Sequence, residues 1–89
     1  MILITHVHFD NGETHKHISR FKWEGTTSQK KGESTLSEMI EHIKKHPETV
    51  YTRDGENYAE ILIIDDTPRY LRSQADGVLG NNLLNLPLF

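Results

Sequence analysis

Apolar and polar positions along this 89-residue chain repeat with two different periods. Met1 to Phe9, MILITHVHF, is rich in β-branched and aromatic residues and predicts a strand. Asp10-Asn11-Gly12-Glu13 predicts a hairpin turn, because Asn-Gly supplies the positive φ that tight turns require. Thr14 to Trp23 then reads as the return strand. Glu24 to Glu33, EGTTSQKKGE, has no aliphatic residue and reads as an exposed, mobile loop. The period changes at Thr35. Leu36, Met39, Ile40 and Ile43 fall at i, i+3, i+4 and i+7, the apolar stripe of an amphipathic helix. Thr35 is its N-cap, Glu38 completes a capping box, Lys44, Lys45 and His46 suit the negative end, and Pro47 stops it. Thr49 to Arg53 predicts a third strand and Asp54-Gly55 a second hairpin turn. Tyr58 to Ile64, YAEILII, is the most apolar strand and is expected at the sheet centre. Asp65-Asp66-Thr67-Pro68 reads as a bend, and Arg69 to Ser73 as the last extended piece. The expectation is an α+β fold with one domain over residues 1–89. It is a small antiparallel sheet of four to five strands with one helix packed on a face, in the order ββαβββ.

The C-terminal stretch Tyr70 to Pro87, YLRSQADGVLGNNLLNLP, carries the most specific pattern. Tyr70-Leu71-Arg72 alternates as a half-buried strand does. Asp76-Gly77 and Gly80-Asn81-Asn82 are turn chemistry. Leu83, Leu84, Leu86, Leu88 and Phe89 form an apolar tail, which either closes the core or lies in a partner's groove; a small chain has little apolar area to spare, which favours the core. The stretch resembles a family of short bacterial domains of unknown function. Its mark is a Tyr-Leu-Arg-Ser/Thr strand, an Asp-containing turn, then Asn-Asn-Leu, two residues and Leu-Pro. Here these are Tyr70, Leu71, Arg72, Ser73, Asp76, Asn81, Asn82, Leu83, Leu86 and Pro87, with Asn85 at a variable position. Upstream, the opening strand Ile4 to Val7, a hairpin glycine, a helix and a second hairpin are also similar. The resemblance supports the fold and implies no activity, cofactor or catalytic residue.

Composition narrows the chemistry. With 35% apolar residues and a mean hydropathy of −0.60, the chain is polar but not of disordered type. No run approaches the length of a membrane span, and the opening segment lacks the basic and apolar regions of a signal peptide. The absence of cysteine excludes disulfides, cysteine catalysis and thiolate metal sites, and points to the cytoplasm. The net charge of −3 is uneven: residues 1–32 hold five Lys/Arg against three acids, residues 33–89 five against ten. Phosphate affinity depends on clustered cations, so an acidic chain is a poor general nucleic-acid binder.

Histidine offers one candidate site. His6 and His8, and His15 and His17, are alternate positions on the two strands of the expected hairpin. A two-residue loop, Asn11-Gly12, sets His8 opposite His15 and His6 opposite His17, placing four imidazoles on one face, a donor set suited to zinc, nickel or copper. A three-residue loop, Asp10 to Gly12, sends the two histidine pairs to opposite faces. It sorts Leu3, Val7, Phe9, Phe21 and Trp23 from Lys16, Arg20 and Lys22, so the apolar pattern favours it. The same histidines could also form a pH-responsive surface.

A second candidate is nucleic-acid binding by Lys16, Arg20 and Lys22 with the Lys30-Lys31 pair. Against it, Phe21 and Trp23 have the opposite parity to the cations, whereas single-strand binding sets aromatics and cations on one face. Arg72, Asp76, Asn81 and Asn82 read either as a recognition patch or as side chains that fix the tail. Enzymatic signals are thin. Asp65 and Asp66 are adjacent and lie in a bend. His17-Ile18-Ser19 is half of a paired His-x-Ser/Thr phosphoesterase signature without its second copy. No phosphate loop, dinucleotide fingerprint or nucleophile elbow is present. The sequence therefore reads as a non-enzymatic protein-interaction module, without a cofactor. Nucleic-acid binding is the alternative, histidine metal binding the third reading, and self-association is open.

Overall fold

A computed structural model describes residues 1–12, 14–27, 30–54, 57–74 and 83–89. Among them are six strands: β1 (Ile2–Phe9), β2 (Ile18–Gly25), β3 (Lys31–Thr35), β4 (Val50–Asp54), β5 (Asn57–Ile64) and β6 (Tyr70–Ser73). One helix, α1 (Leu36–Lys45), and two short 3-10 turns, His15–His17 and Leu83–Asn85, complete the order. The strands form one mixed sheet, β3-β2-β1-β4-β5-β6, in which β1 and β4 run parallel and the other neighbours antiparallel. The α+β class and the single helix are as expected; the strand count and the all-antiparallel sheet are not. β1 and β4 occupy the middle, and the apolar β5 lies between β4 and β6 rather than at the centre.

The helix forms as its local sequence dictates. Thr35 Oγ1 accepts from the Glu38 amide at 3.2 Å, and the Thr35 amide donates to Glu38 Oε1 at 2.8 Å. These two bonds satisfy donors that the first turn otherwise orphans. Met39 and Ile40 are buried, and α1 touches β2 and β3 at one end of the strand order and β6 at the other. The sheet therefore curls around the helix, an extreme of the twist that all sheets share.

The core gathers Ile4, Val7, Ile18, Phe21, Met39, Ile40, Val50, Ile61, Leu71 and Leu83. Two bulges make this possible. The β1–β2 register shifts between Ile4 and His6 and again between His8 and Phe9, leaving Thr5 and Ser19 as the extra residues. Each extra residue inverts the alternation beyond it. On β1 the inward positions are Ile2 and Ile4 before the bulge, Val7 and Phe9 after it. On β2 they are Ile18, then Phe21 and Trp23.

Both expected hairpin registers are overturned. His8 faces Arg20, His6 faces Lys22 and Val7 faces Phe21. Asp10 to His17 is a wide connection, closed by the Asp10 amide donating to the His17 carbonyl at 2.8 Å and by the turn bond from the His17 amide to the Thr14 carbonyl at 2.9 Å. Asn11 does take positive φ, 59°, but within this larger loop. The His17 ring packs against Gly12, where a Cβ would collide with it, and its Nδ1 lies 2.7 Å from the Thr14 hydroxyl. The return strand accordingly starts at Ile18, not Thr14.

The expected mobile loop, Glu24 to Glu33, instead contains most of β3. Trp23 lies opposite Gly32 and Glu24 opposite Lys31, so the lysine sits in a strand across from an acid. Glycine admits the indole onto the backbone, and Trp23 Nε1–H donates to Ser34 Oγ at 3.0 Å. Burying the indole there outweighs the weak β preference of the segment. No helix of the described residues is long and apolar enough to cross a membrane.

Candidate functional site on the outer face of β1 and β2

The sheet face turned away from α1 holds what the bulges turn outward. From β1 come His6 and His8, and from β2 Arg20 and Lys22, side by side in register. This face also receives an aromatic ring that neither strand encodes. The C-terminal segment runs beside β1, with the Val7 amide donating to the Pro87 carbonyl at 3.0 Å and the Phe89 amide to the Val7 carbonyl at 3.2 Å. That pairing delivers the Phe89 ring to the cations. Its centroid lies 5.7 Å from the His8 ring and 6.5 Å from the His6 ring, edge-on to the latter, and Lys22 Nζ stands 4.8 Å above it.

Two contacts on His8 hold this arrangement. Nδ1 lies 2.6 Å from the Phe89 oxygen and Nε2 3.3 Å from Asp10 Oδ1. The neighbouring Ser19 hydroxyl holds the Asp10 carboxyl below its ordinary range; desolvation opposes this and the charges of His8 and Arg20 reinforce it. Replacing His8 with alanine is expected to release the terminal pairing. The Phe89 amide then exchanges with solvent faster while the Phe21 amide, in the core strand, does not; equal exchange in both forms would show that His8 does not hold the tail.

The remaining candidates are dispersed. Arg20 Nε bonds Glu33 Oε1 at 2.6 Å. Lys16 is not on this face: it lies in the 3-10 turn, 3.0 Å from Asp66 Oδ2 and 5.8 Å from the Tyr70 ring centroid. The basic row Lys16, Arg20, Lys22 therefore reduces to Arg20 and Lys22. Asp65 and Asp66 are no acid pair, since Asp65 bonds Arg69 at 2.8 Å and Asp66 accepts from the Thr67 amide at 2.8 Å. That amide, and then Lys16, lowers the Asp66 pKa. The four histidines do not converge either. His15 stacks near Tyr70 with centroids 6.2 Å apart, and His17 bonds Thr14. Among the described residues no group of three or more His, Asp or Glu is placed to hold a metal ion. Arg72 sits on β6 opposite Leu62. Asp76, Asn81 and Asn82, and with them most of the turn chemistry that carried the resemblance, lie outside the described residues.

Phe89 is the residue that sequence reasoning missed on this face. It read as part of an apolar tail, and nothing in its neighbours signals which face it reaches. No curated protein and no solved structure matches the chain. A family model does match, over residues 3–87, and the chain thus belongs to the DUF3892 family, proteins of unknown function.

Proposed function

We propose that this chain is a binding rather than a catalytic domain, a protein-interaction module whose docking surface is the outer face of β1 and β2. One observation carries the reading: Phe89 is held among His6, His8 and Lys22 on the outer face instead of joining the core. Aromatic and arginine side chains within a polar rim are the composition of interface hot spots. The partner that suits it is a protein segment that sets an apolar side chain against the Phe89 ring and acids against Lys22 and the imidazoles. Nucleic acid suits it less, because Arg20 is already engaged by Glu33 and Asp10 stands within 3.3 Å of His8.

The test uses the full chain immobilised and exposed to a lysate of its source cells, with and without nuclease. A protein retained by the wild type and weakened by Phe89→Ala and Lys22→Glu, while Lys45→Glu on the far side of α1 binds normally, supports the proposal. The expected loss for Phe89→Ala is about 2 kcal/mol or more, roughly thirtyfold in Kd. Retention that disappears with nuclease transfers the face to nucleic acid. Retention indifferent to both substitutions removes this face from the interaction.

A further inference from the structure

The helix carries a second pair of imidazoles, far from the outer face. His42 and His46 stand four residues apart, the spacing that places two side chains on one helix face. Their ring centroids are 5.1 Å apart with planes inclined at 44°. Zinc–nitrogen bonds of about 2.0–2.1 Å and a tetrahedral angle put the centroids of two ligating imidazoles roughly 5 Å apart. The observed pair already has that separation. The backbone that presents it is tied down: the His46 amide donates to the His42 carbonyl at 2.9 Å, and Thr49 Oγ1–H donates to the His46 carbonyl at 2.6 Å. Both rings border a groove of about 420 Å³ along α1, with Glu38, Glu41 and Lys45. His42 also reaches the neighbouring cleft, which contains Ile2, Trp23, Ser34 and Met39.

From this geometry we propose that His42 and His46 form a two-point site for a borderline divalent transition metal, copper, nickel or zinc. Imidazole nitrogen is the ligand these ions share, and the rest of the coordination sphere belongs to water. Hard cations such as magnesium and calcium prefer oxygen and are not expected to bind there. The pair supplies two of the donors, which makes the site an exchangeable one with open positions facing the groove.

The chain contains a single tryptophan, Trp23, in the cleft that His42 borders, so its fluorescence reports on an ion held there. Copper(II) sulfate titrated into the full chain is expected to quench Trp23 saturably, with zinc chloride competing and magnesium chloride without effect. His42→Gln and His46→Gln should each weaken the copper response about tenfold or more, since even losing a group that only orients a ligand costs that much. His46 is exposed, so its substitution leaves the fold intact and keeps the test decisive. A variant with both His15→Gln and His17→Gln, which lie off both sites, should titrate as the wild type does. Quenching that fails to saturate, that survives His46→Gln unchanged, or that vanishes in the His15 and His17 variant would overturn the assignment.

Discussion

Leu83→Ala is expected to destabilise the protein by about 2–5 kcal/mol, the range for deleting a buried leucine side chain where the core cannot collapse around the cavity. Leu83 is 0% exposed and belongs to the same cluster as Phe21, Ile61 and Leu71. Total stabilities of small proteins run from about 5 to 15 kcal/mol, so one residue near the chain's end would hold a large share. Each kcal/mol moves the midpoint of a domain this size by roughly 4–8 °C. Leu88, five positions on, is 65% exposed, and Leu88→Ala should stay within about 0.5 kcal/mol of wild type. Thermal melts of the two variants separate the possibilities. Equal midpoints would mean that the tail does not close the core. A large gap would make Leu83 the anchor from which Leu84 and Leu86 pack inward and Phe89 reaches the outer face.

The second large effect concerns Gly32. A Cβ there would lie 2.8 Å from Cε2 and 3.1 Å from Cη2 of Trp23, closer than side-chain carbons pack. Valine has a high strand preference, so intrinsic propensity alone would favour Gly32→Val in β3. The packing predicts the opposite. The indole must leave the backbone of β3, its hydrogen bond to Ser34 is lost, and overpacking costs about 1–3 kcal/mol beyond that bond. Trp23 emission should shift to longer wavelength as the ring meets water, with a lower melting midpoint. An unchanged midpoint with unchanged emission would show that the ring and Gly32 are not in contact.

The contrast between α1 and β3 explains what could be read in advance. The helix was legible to the residue at its start, because Thr35, Glu38 and the apolar stripe act within one or two turns of each other. The Asp65 to Pro68 bend and the strand at Tyr70 were legible for the same reason. β3 was not, since KGEST has no strand character of its own and exists by pairing with β2 and by seating an indole on Gly32. The β1–β2 hairpin shows a subtler limit. Its turn residues advertise a tight loop, and Asn11 does adopt the conformation that Asn-Gly favours. Yet the register follows from burying Ile4, Val7, Ile18 and Phe21 together, which requires bulges at Thr5 and Ser19. An alternation carried straight through either bulge assigns every later side chain to the wrong face, as it did for Leu3.

The candidate site was half legible. His6, His8, Arg20 and Lys22 were named as members of two separate sites, and register joined them into one. Phe89 came from the far end of the chain. The His42–His46 pair lay in plain view as a spacing of four on a predicted helix, although only tertiary structure shows the separation of the rings and the cleft with Trp23 beside them.

What the sequence by itself determined is whatever depends on neighbours in the chain: the α+β class, the helix with its cap and apolar face, and the extents of β1, β4, β5 and β6 to within one residue at each end. The tertiary structure alone decided the parallel join of β1 to β4, the edge strand β3, the two bulges, and the placing of an aromatic ring on the cationic face. Those features arise where distant segments compete to bury apolar area and satisfy backbone hydrogen bonds at once. That competition is settled by the whole fold, because a local pattern records which side chains need burial but not which partners will provide it.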